Sequence, residues 1–157
     1  MHPVENRSIA PIVGVLVLVA LTVCLGSVVA IAVTSIGTSE PPPRAVLALH
    51  VSSETGTITL EHRHGEVLDV TDLDVHVTVD GEPLAEQPPV PFFAADGFRG
   101  GPTGPFNAEA EPRWGPGETA TVRVAATNAP SIEAGDRVVV TISVAGNRLA
   151  QLETTAS

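Results

Sequence analysis

The sequence predicts an all-β C-terminal domain, an immunoglobulin-like β-sandwich of six to eight strands, preceded by one long N-terminal α-helix. Three observations predict this fold class. No charged side chain occurs between Arg7 and Glu40. Three consecutive prolines, Pro41 to Pro43, then prevent a helix from continuing. From Ala45 onward, apolar and polar residues alternate in several short segments with a period of two, as they do in half-buried strands.

The same pattern predicts four parts: a polar leader over residues 1–7, an apolar helix over 8–36, a proline-rich linker over 37–44, and a β domain over 45–157. The 26 residues from Pro11 to Ile36 would span about 39 Å as a helix. The hydrocarbon core of a bilayer is about 30 Å thick, so the segment is long enough to cross a membrane. Gly14 and Gly26 are typical of membrane helices, in which glycine allows close helix packing.

Three interpretations of the apolar segment remain open at this point. A secretory signal peptide would be cleaved after Ala30-Ile31-Ala32, although the apolar run before that site is longer than such signals usually are. A permanent transmembrane anchor explains the length, but Arg7 is its only basic flanking residue, so the charge signal for orientation is weak. The third interpretation, the assembly helix of a surface filament, depends on how the segment begins.

The segment begins with a recognisable pattern. The leader ends in Asn6-Arg7, and the apolar run opens with Ser8-Ile9-Ala10-Pro11-Ile12-Val13-Gly14-Val15-Leu16. This start resembles the N-terminal region of archaeal, especially haloarchaeal, type IV pilins, whose leader ends in a base followed by a motif such as A-V-S-P-V-I-G-V-I-L. Arg7, Pro11 and Gly14 hold the family positions. Ser8 and Ala10 depart from the commonest residues but are small. The resemblance covers residues 1 to about 37.

The resemblance implies that a prepilin peptidase cuts between Arg7 and Ser8 on the cytoplasmic side of the membrane, so that the apolar helix survives cleavage. It further implies a structural subunit of a cell-surface filament with roles in assembly and adhesion. Its partners would be membrane lipid, the peptidase and other pilin subunits. Before assembly the subunit would be a single-pass protein of the cell membrane with its C-terminal domain outside. The alternative is a monomeric membrane-anchored surface protein that never polymerises.

Strands are predicted in order along the β domain, over residues 45–51, 56–62, 73–79, 119–127, 137–144 and 148–152, with a short strand at 82–84. Asp80-Gly81 and Ala145-Gly146-Asn147 have the composition of tight hairpin turns. No segment after Ser39 has a helical period. The cysteine pair of true immunoglobulin domains is absent, because the only cysteine is Cys24 in the apolar segment.

Residues 85–118 form a long segment rich in proline and glycine that contains every aromatic residue of the chain: Phe92, Phe93, Phe98, Phe106 and Trp114. A loop of this length usually has a function or folds onto the body of the domain. Two alternatives follow. In the first, the rings supply bulk to a core otherwise made of small aliphatic residues; in the second, they form an interface with another subunit or a surface.

Charge and composition narrow the possible functions. The chain has 18 acidic residues, 8 arginines, no lysine and a net charge of −10. Such a surface repels nucleic acid, so no nucleic-acid partner is expected. An acidic, lysine-free surface also suits a halophile, since high salt screens the self-repulsion. Neither a nucleophile with its base nor a phosphate-binding loop is recognisable, so we expect neither an enzyme nor a cofactor.

Two groups of residues have part of the pattern of a metal site. His62 and His64 are two residues apart, which would place them on one face of a strand, where His50 or Glu61 would be the further ligand of a metal site. The alternative is a pair of surface histidines. Asp69, Asp72 and Asp74 lack the spacing and glycine of a calcium loop and read as a solvated acidic turn. We expect no metal at either place.

Overall fold

The computed structural model describes residues 9–35 and 41–157 of the chain. The chain divides into two compact units on either side of Pro41, and each is described separately. The first contains a helix, α1 (Ala10–Ser35), and the second is a β domain. The predicted fold class, one apolar helix followed by an all-β domain, is therefore confirmed.

The α1 helix begins near the predicted position. Its first backbone bond runs from the amide of Val13 to the carbonyl of Ile9, over 2.9 Å. Pro11 lies in this first turn, where its missing N–H would have no helical partner. The hydroxyl groups of Thr22 and Ser27 donate to the carbonyls of Leu18 and Val23 at 2.7 and 2.8 Å. These two hydroxyl groups therefore find their hydrogen-bond partners within the helix itself.

Nine strands make up the β domain: β1 (Ala45–Ser52), β2 (Thr57–Gly65), β3 (Leu68–Asp69), β4 (Leu73–Val79), β5 (Glu82–Pro83), β6 (Arg113–Trp114), β7 (Thr119–Arg123), β8 (Arg137–Val144) and β9 (Asn147–Thr155). One sheet has the order β1-β2-β7, and a second has the order β5-β4-β8-β9. The pair β3-β6 is separate. All named strand pairs are antiparallel.

The two main sheets have immunoglobulin-like strand order. The first, second and fifth of their seven strands form one sheet, and the third, fourth, sixth and seventh form the other. Both sheets turn alternate apolar side chains inward, and these form one core. Ile58 and Leu60 of β2 contribute from one side, and Val138, Val140 and Ile142 of β8 contribute from the other. The domain thus closes around its core without a disulfide.

Both predicted hairpin turns are present. Asp80 and Gly81 have φ values of 49° and 84°, and Ala145 and Gly146 have φ values of 48° and 79°. Two consecutive residues with positive φ characterise the type I′ turn, whose twist matches that of the flanking strands. The turns set the pairing of β4 with β5 and of β8 with β9. Both turns were predictable because a type I′ turn depends on the identity of its own two central residues.

Residues 85–118 fold onto the body of the domain. Asn128 is buried, and its side chain accepts from the amide of Glu86 and donates to the carbonyls of Glu86 and Gly97, at 2.9–3.2 Å. Gln87 accepts from the amide of Val77 at 2.7 Å and donates to its carbonyl at 2.9 Å. The side-chain amides of Asn128 and Gln87 therefore hold the beginning of this segment against the sandwich. They bond to backbone N–H and C=O groups that would otherwise lack partners.

The middle of the same segment runs along the outer edge of β7. The amide of Arg99 donates to the carbonyl of Arg123 at 2.8 Å, and Thr103 and Thr121 exchange backbone bonds at 3.0 and 3.3 Å. The hydroxyl groups of Thr103 and Thr121 also bond to each other. The segment thereby covers an edge that would otherwise offer free backbone groups to another chain.

Candidate functional site

The surface of α1 is the first candidate site, because it is apolar on every side. All side chains from Ile9 to Ala30 are exposed in the structure, with Leu18 at 66% and Leu25 at 67%. The segment Ala10–Ala30 has a mean hydropathy of 2.8 and is long enough to cross a membrane. A helix that is apolar all round needs lipid or other protein around it. Its length and composition fit a membrane anchor or a signal sequence.

Gly14 and Gly26, the two predicted packing positions, are open notches in this surface. A Cβ atom built at either glycine would meet no other group within 4 Å. Successive residues turn by about 100° around a helix axis. Gly14, Ala20 and Gly26 therefore lie in three directions about 120° apart. Small positions that face several directions allow close approach by several neighbouring helices, whereas a two-helix contact needs them on one face only.

The predicted peptidase site lies outside the described residues. Arg7 and Ser8 precede the first described residue, Ile9, so their expected role stays a prediction. Of the motif that follows, Pro11 and Gly14 both lie in the first two turns of α1. The predicted linker is described only from Pro41, and Pro41–Arg44 has no regular secondary structure before β1 begins at Ala45, the predicted boundary.

The aromatic residues of segment 85–118 are the second candidate site, and here the structure decides between the two alternatives. Phe92, Phe98, Phe106 and Trp114 are buried, with Trp114 fully inaccessible. The Phe106 and Trp114 rings meet edge to face with centroids 5.1 Å apart, and the Phe92 and Phe98 rings are 5.5 Å apart. Four of the five candidate interface residues are therefore core residues, in agreement with the first of the two alternatives.

Phe93 is the exception among the five aromatics. Its side chain is 61% exposed, although the preceding Phe92 is held on both sides by backbone bonds to Phe106 and Ala108, at 3.0 and 3.1 Å. The interface hypothesis is thereby restricted to Phe93. A single exposed ring is common on protein surfaces and does not by itself define a partner.

The predicted histidine pair does not share one face. In the pairing of β1 with β2, Val46 lies opposite His64 and Leu47 lies opposite His62, which leaves Arg63 as an extra residue. This bulge interrupts the alternation of side chains along β2. His62 is consequently buried and His64 exposed, so the expectation that both lie together at the surface is wrong. Among the described residues, no three acidic, histidine or cysteine side chains are placed to hold a metal ion.

The acidic turn that the sequence suggested has a structural role at Asp69. Its carboxylate accepts from the hydroxyl and the amide of Thr71, at 2.6 and 2.9 Å. These bonds cap a short 3-10 turn over Val70–Asp72. They also hold the pKa of Asp69 below its ordinary value, the hydroxyl bond being the largest cause.

The carboxylate of Glu153 is paired with Arg137 on the β5-β4-β8-β9 sheet. Arg137 of β8 donates to Glu153 of β9 over 2.6 Å. The two residues are diagonal neighbours, since Arg137 pairs with Thr155 and Glu153 pairs with Val139. This hydrogen bond lowers the pKa of Glu153 and raises the pKa of Arg137. Both groups are exposed, so solvent screening limits what the pair contributes to stability.

We expect the β domain to lose stability in acid as the carboxylates of Asp69 and Glu153 become protonated. A carboxylate whose folded-state pKa is depressed stabilises the fold above its unfolded pKa, and this contribution is lost as the pH falls through the folded pKa. The expected loss therefore lies below about pH 4. Urea unfolding followed by circular dichroism between pH 5 and pH 2 should show a smaller loss in Thr71→Val and in Arg137→Gln than in the wild type.

The matched control for the acid experiment is Arg123→Gln, which replaces another exposed arginine of the same domain. It should keep the wild-type dependence on pH. If Thr71→Val and Arg137→Gln follow the wild type at every pH, the two hydrogen bonds are not the source of acid sensitivity.

Comparison with known proteins adds one relative. No protein-family model matches the chain. The chain is 32% identical over 75 residues to an uncharacterized protein of Archaeoglobus fulgidus. The match covers 46% of this chain and 53% of the relative, so the chain spans about half the length of the protein it matches. This similarity, to an archaeal protein of undescribed activity, leaves the family of the chain unassigned.

Proposed function

We propose that the chain is a type IV pilin-like structural subunit of an archaeal cell-surface filament. The observation that carries the proposal is the α1 helix, whose described side chains from Ile9 to Ala30 are all apolar or weakly polar and all exposed. Such a helix is stable only in lipid or among copies of itself. A subunit that first sits in a membrane and then assembles through the same helix meets both requirements.

The small residues of α1 support assembly over simple anchoring. Gly14, Ala20 and Gly26 open three directions around the helix, which suits a filament core in which each helix has several neighbours. An open polymer needs contacts that join different faces of successive subunits. A helix with small positions all round offers such contacts, and the remaining large aliphatic side chains fill the space between the helices.

The start of the chain supports the processing that a pilin requires. Arg7 ends the polar leader, and Pro11 and Gly14 follow at the spacing of archaeal pilins. In the proposed pathway a prepilin peptidase removes residues 1–7 on the cytoplasmic side, the helix stays in the membrane, and the β domain faces outward. Membrane lipid, the peptidase and other subunits are then the successive partners of the same helix.

A second candidate function is a membrane-anchored surface protein that does not polymerise. It is favoured by the fit of the Ala10–Ala30 segment to a single membrane span and by the division of the chain into two units at Pro41. Mechanical shearing of cells distinguishes the two functions. Shear releases filament subunits into the medium, whereas a monomer held by the bilayer stays with the membranes.

The experiment that tests the processing is the mass of the mature N-terminal peptide, measured on protein from its own membranes. We expect the mature chain to begin at Ser8. Arg7→Gln should keep the leader, whereas the matched control Asn6→Gln should still be cleaved. A mature chain that begins at Met1 would support the interpretation as a plain membrane anchor. A chain that begins after Ala32 would support a secreted β domain and exclude a pilin.

A further inference from the structure

Phe93 is an aromatic knob on the surface of the β domain. Its ring is 61% exposed, whereas the other four aromatic side chains of the chain are buried. The backbone beneath the ring is firmly held. Phe92 bonds to Phe106 and Ala108, and Gly101 packs so closely that a Cβ atom there would lie 2.8 Å from the Phe93 carbonyl oxygen. A rigid ring loses little conformational entropy when a partner buries it.

A cavity of about 370 Å³ opens on the surface of the same domain, and Phe93 does not line it. Its walls include the apolar residues Val67, Pro105 and Ala110. Gly115 lines it as well, and a Cβ atom built there would lie 3.6 Å from Cγ2 of Val67, an ordinary contact distance. An apolar cavity of about 150 Å³ accepts a benzene ring. The cavity beside Val67 is therefore large enough for one phenylalanine side chain.

Charged side chains also line this cavity. Glu118 accepts a hydrogen bond from the amide of Gly115 over 2.6 Å, so its carboxylate already has a partner. Glu111 and Arg113 are the other charged residues of the lining. A guanidinium group over the face of an aromatic ring attracts the ring. The cavity thus combines apolar walls with charged groups, as pockets that receive an anchoring side chain in protein interfaces do.

Each copy of the chain carries both the ring and the cavity, so a second copy supplies the matching half. A contact made by one ring is far smaller than the roughly 800 Å² per partner that a stable interface buries. A free partner protein would therefore bind weakly, whereas copies held in one membrane by α1 meet at high effective concentration. This step rests on the proposed membrane placement of α1. Because the ring and the cavity are different surfaces, the contact can repeat from copy to copy, as an open polymer requires.

We propose that the Phe93 ring of one copy seats in the cavity of a second copy, beside Val67, Pro105 and Arg113. The contact joins two β domains and acts in addition to the packing of α1 helices. Its driving force is the removal from water of the exposed ring and of the apolar cavity walls. Attraction between the ring and the guanidinium group of Arg113 adds to this burial.

Crosslinking between two differently tagged copies of the full-length protein in the same membranes tests the contact. Both copies carry Cys24→Ala, which removes the native thiol. One copy adds Ala94→Cys beside the ring, and the other adds Ala110→Cys at the cavity; both positions are exposed. A short bismaleimide should join the two tagged copies. The background is measured with Ala94→Cys in one copy and Gln151→Cys, at an exposed position of β9, in the other.

Two variants test the ring and the cavity separately. Phe93→Ala in both copies removes the ring and should lower the yield of the mixed product by about tenfold, a loss typical of an anchoring aromatic side chain. Gly115→Leu in both copies fills the cavity from its own wall and should lower the yield equally. The matched control is Val46→Ala, which shortens another exposed apolar side chain of the domain and should leave the yield unchanged.

The contact is overturned if the mixed product does not exceed the background, if Phe93→Ala leaves its yield unchanged, or if the thiol beside Phe93 captures a different protein instead. If Gly115→Leu loses the β signal in circular dichroism, Phe93→Ala decides alone, because it truncates an exposed ring. Mixed product without shear-released protein supports the contact and counts against the filament. Shear-released filaments without mixed product overturn the contact and leave the filament proposal standing.

Discussion

Trp114→Ala is expected to lower the free energy of unfolding of the β domain by about 3–5 kcal/mol. The indole is fully buried and packs against both Phe106 and His62. Its Nε1 donates to the carbonyl of Glu118 at 3.1 Å, so truncation also leaves a buried carbonyl without its partner. A domain of this size is stable by about 5–15 kcal/mol. The substitution should therefore remove a large share of the stability of the domain.

The matched control is Phe93→Ala, which removes an exposed ring from the same segment. It should change the free energy of unfolding by no more than about 0.5 kcal/mol. Urea unfolding of the full-length protein in detergent, followed by the β signal in circular dichroism, compares the two variants with the wild type. Equal losses in both variants, or a larger loss in Phe93→Ala, would contradict the assignment of Trp114 to the core and Phe93 to the surface.

Gly26→Leu is expected to reduce the yield of shear-released filaments by about tenfold or more while membrane insertion is retained. A leucine side chain in a close helix contact costs about 1–3 kcal/mol of overpacking, and 1.4 kcal/mol is a tenfold weaker association. The extra apolar side chain does not oppose insertion into lipid. Filament yield is measured in the sheared medium, and insertion is measured by resistance of the protein to alkaline extraction from membranes.

Val19→Leu is the control for this experiment, since it enlarges a position that already carries a large exposed side chain. It should assemble like the wild type.

Gly14→Leu should resemble Gly26→Leu, but it lies close to the proposed cleavage site, so the mass of its mature N-terminus must first show a start at Ser8. Normal filament yield from inserted, processed Gly26→Leu would count against the helix-packing argument. Absence of shear-released wild-type protein would favour the anchored monomer.

Much of the β domain was predictable because its signals are local. β4 and β8 match the predicted ranges 73–79 and 137–144, and β1 begins at the predicted Ala45. Their alternation of apolar and polar residues is a property of the strand itself. The predicted segment 119–127 ends earlier, with β7 stopping at Arg123, because the following residues have no pairing partner on β2.

Other features were missed because they depend on distant partners. β3 and β6 contain two residues each and exist only because Leu68 and Asp69 pair with Trp114 and Arg113. The buried amide of Asn128 has no sequence signal, since its role depends on bonds to Glu86 and Gly97, 42 and 31 residues away. Gln87 likewise carries no pattern that distinguishes it from a surface glutamine.

By itself the sequence determined the division of this protein into an apolar helix and an acidic β domain, the principal strands, and the two type I′ turns. These features depend on the order of residues over a few positions, because hydrophobic periodicity and the identity of turn residues are local properties. Only the tertiary structure decided that four of the five aromatic residues are core and that Phe93 is exposed. It also decided that a bulge at Arg63 separates His62 from His64. Burial depends on which distant segments meet, and that choice is made by the packing of the whole domain rather than by any one stretch of sequence.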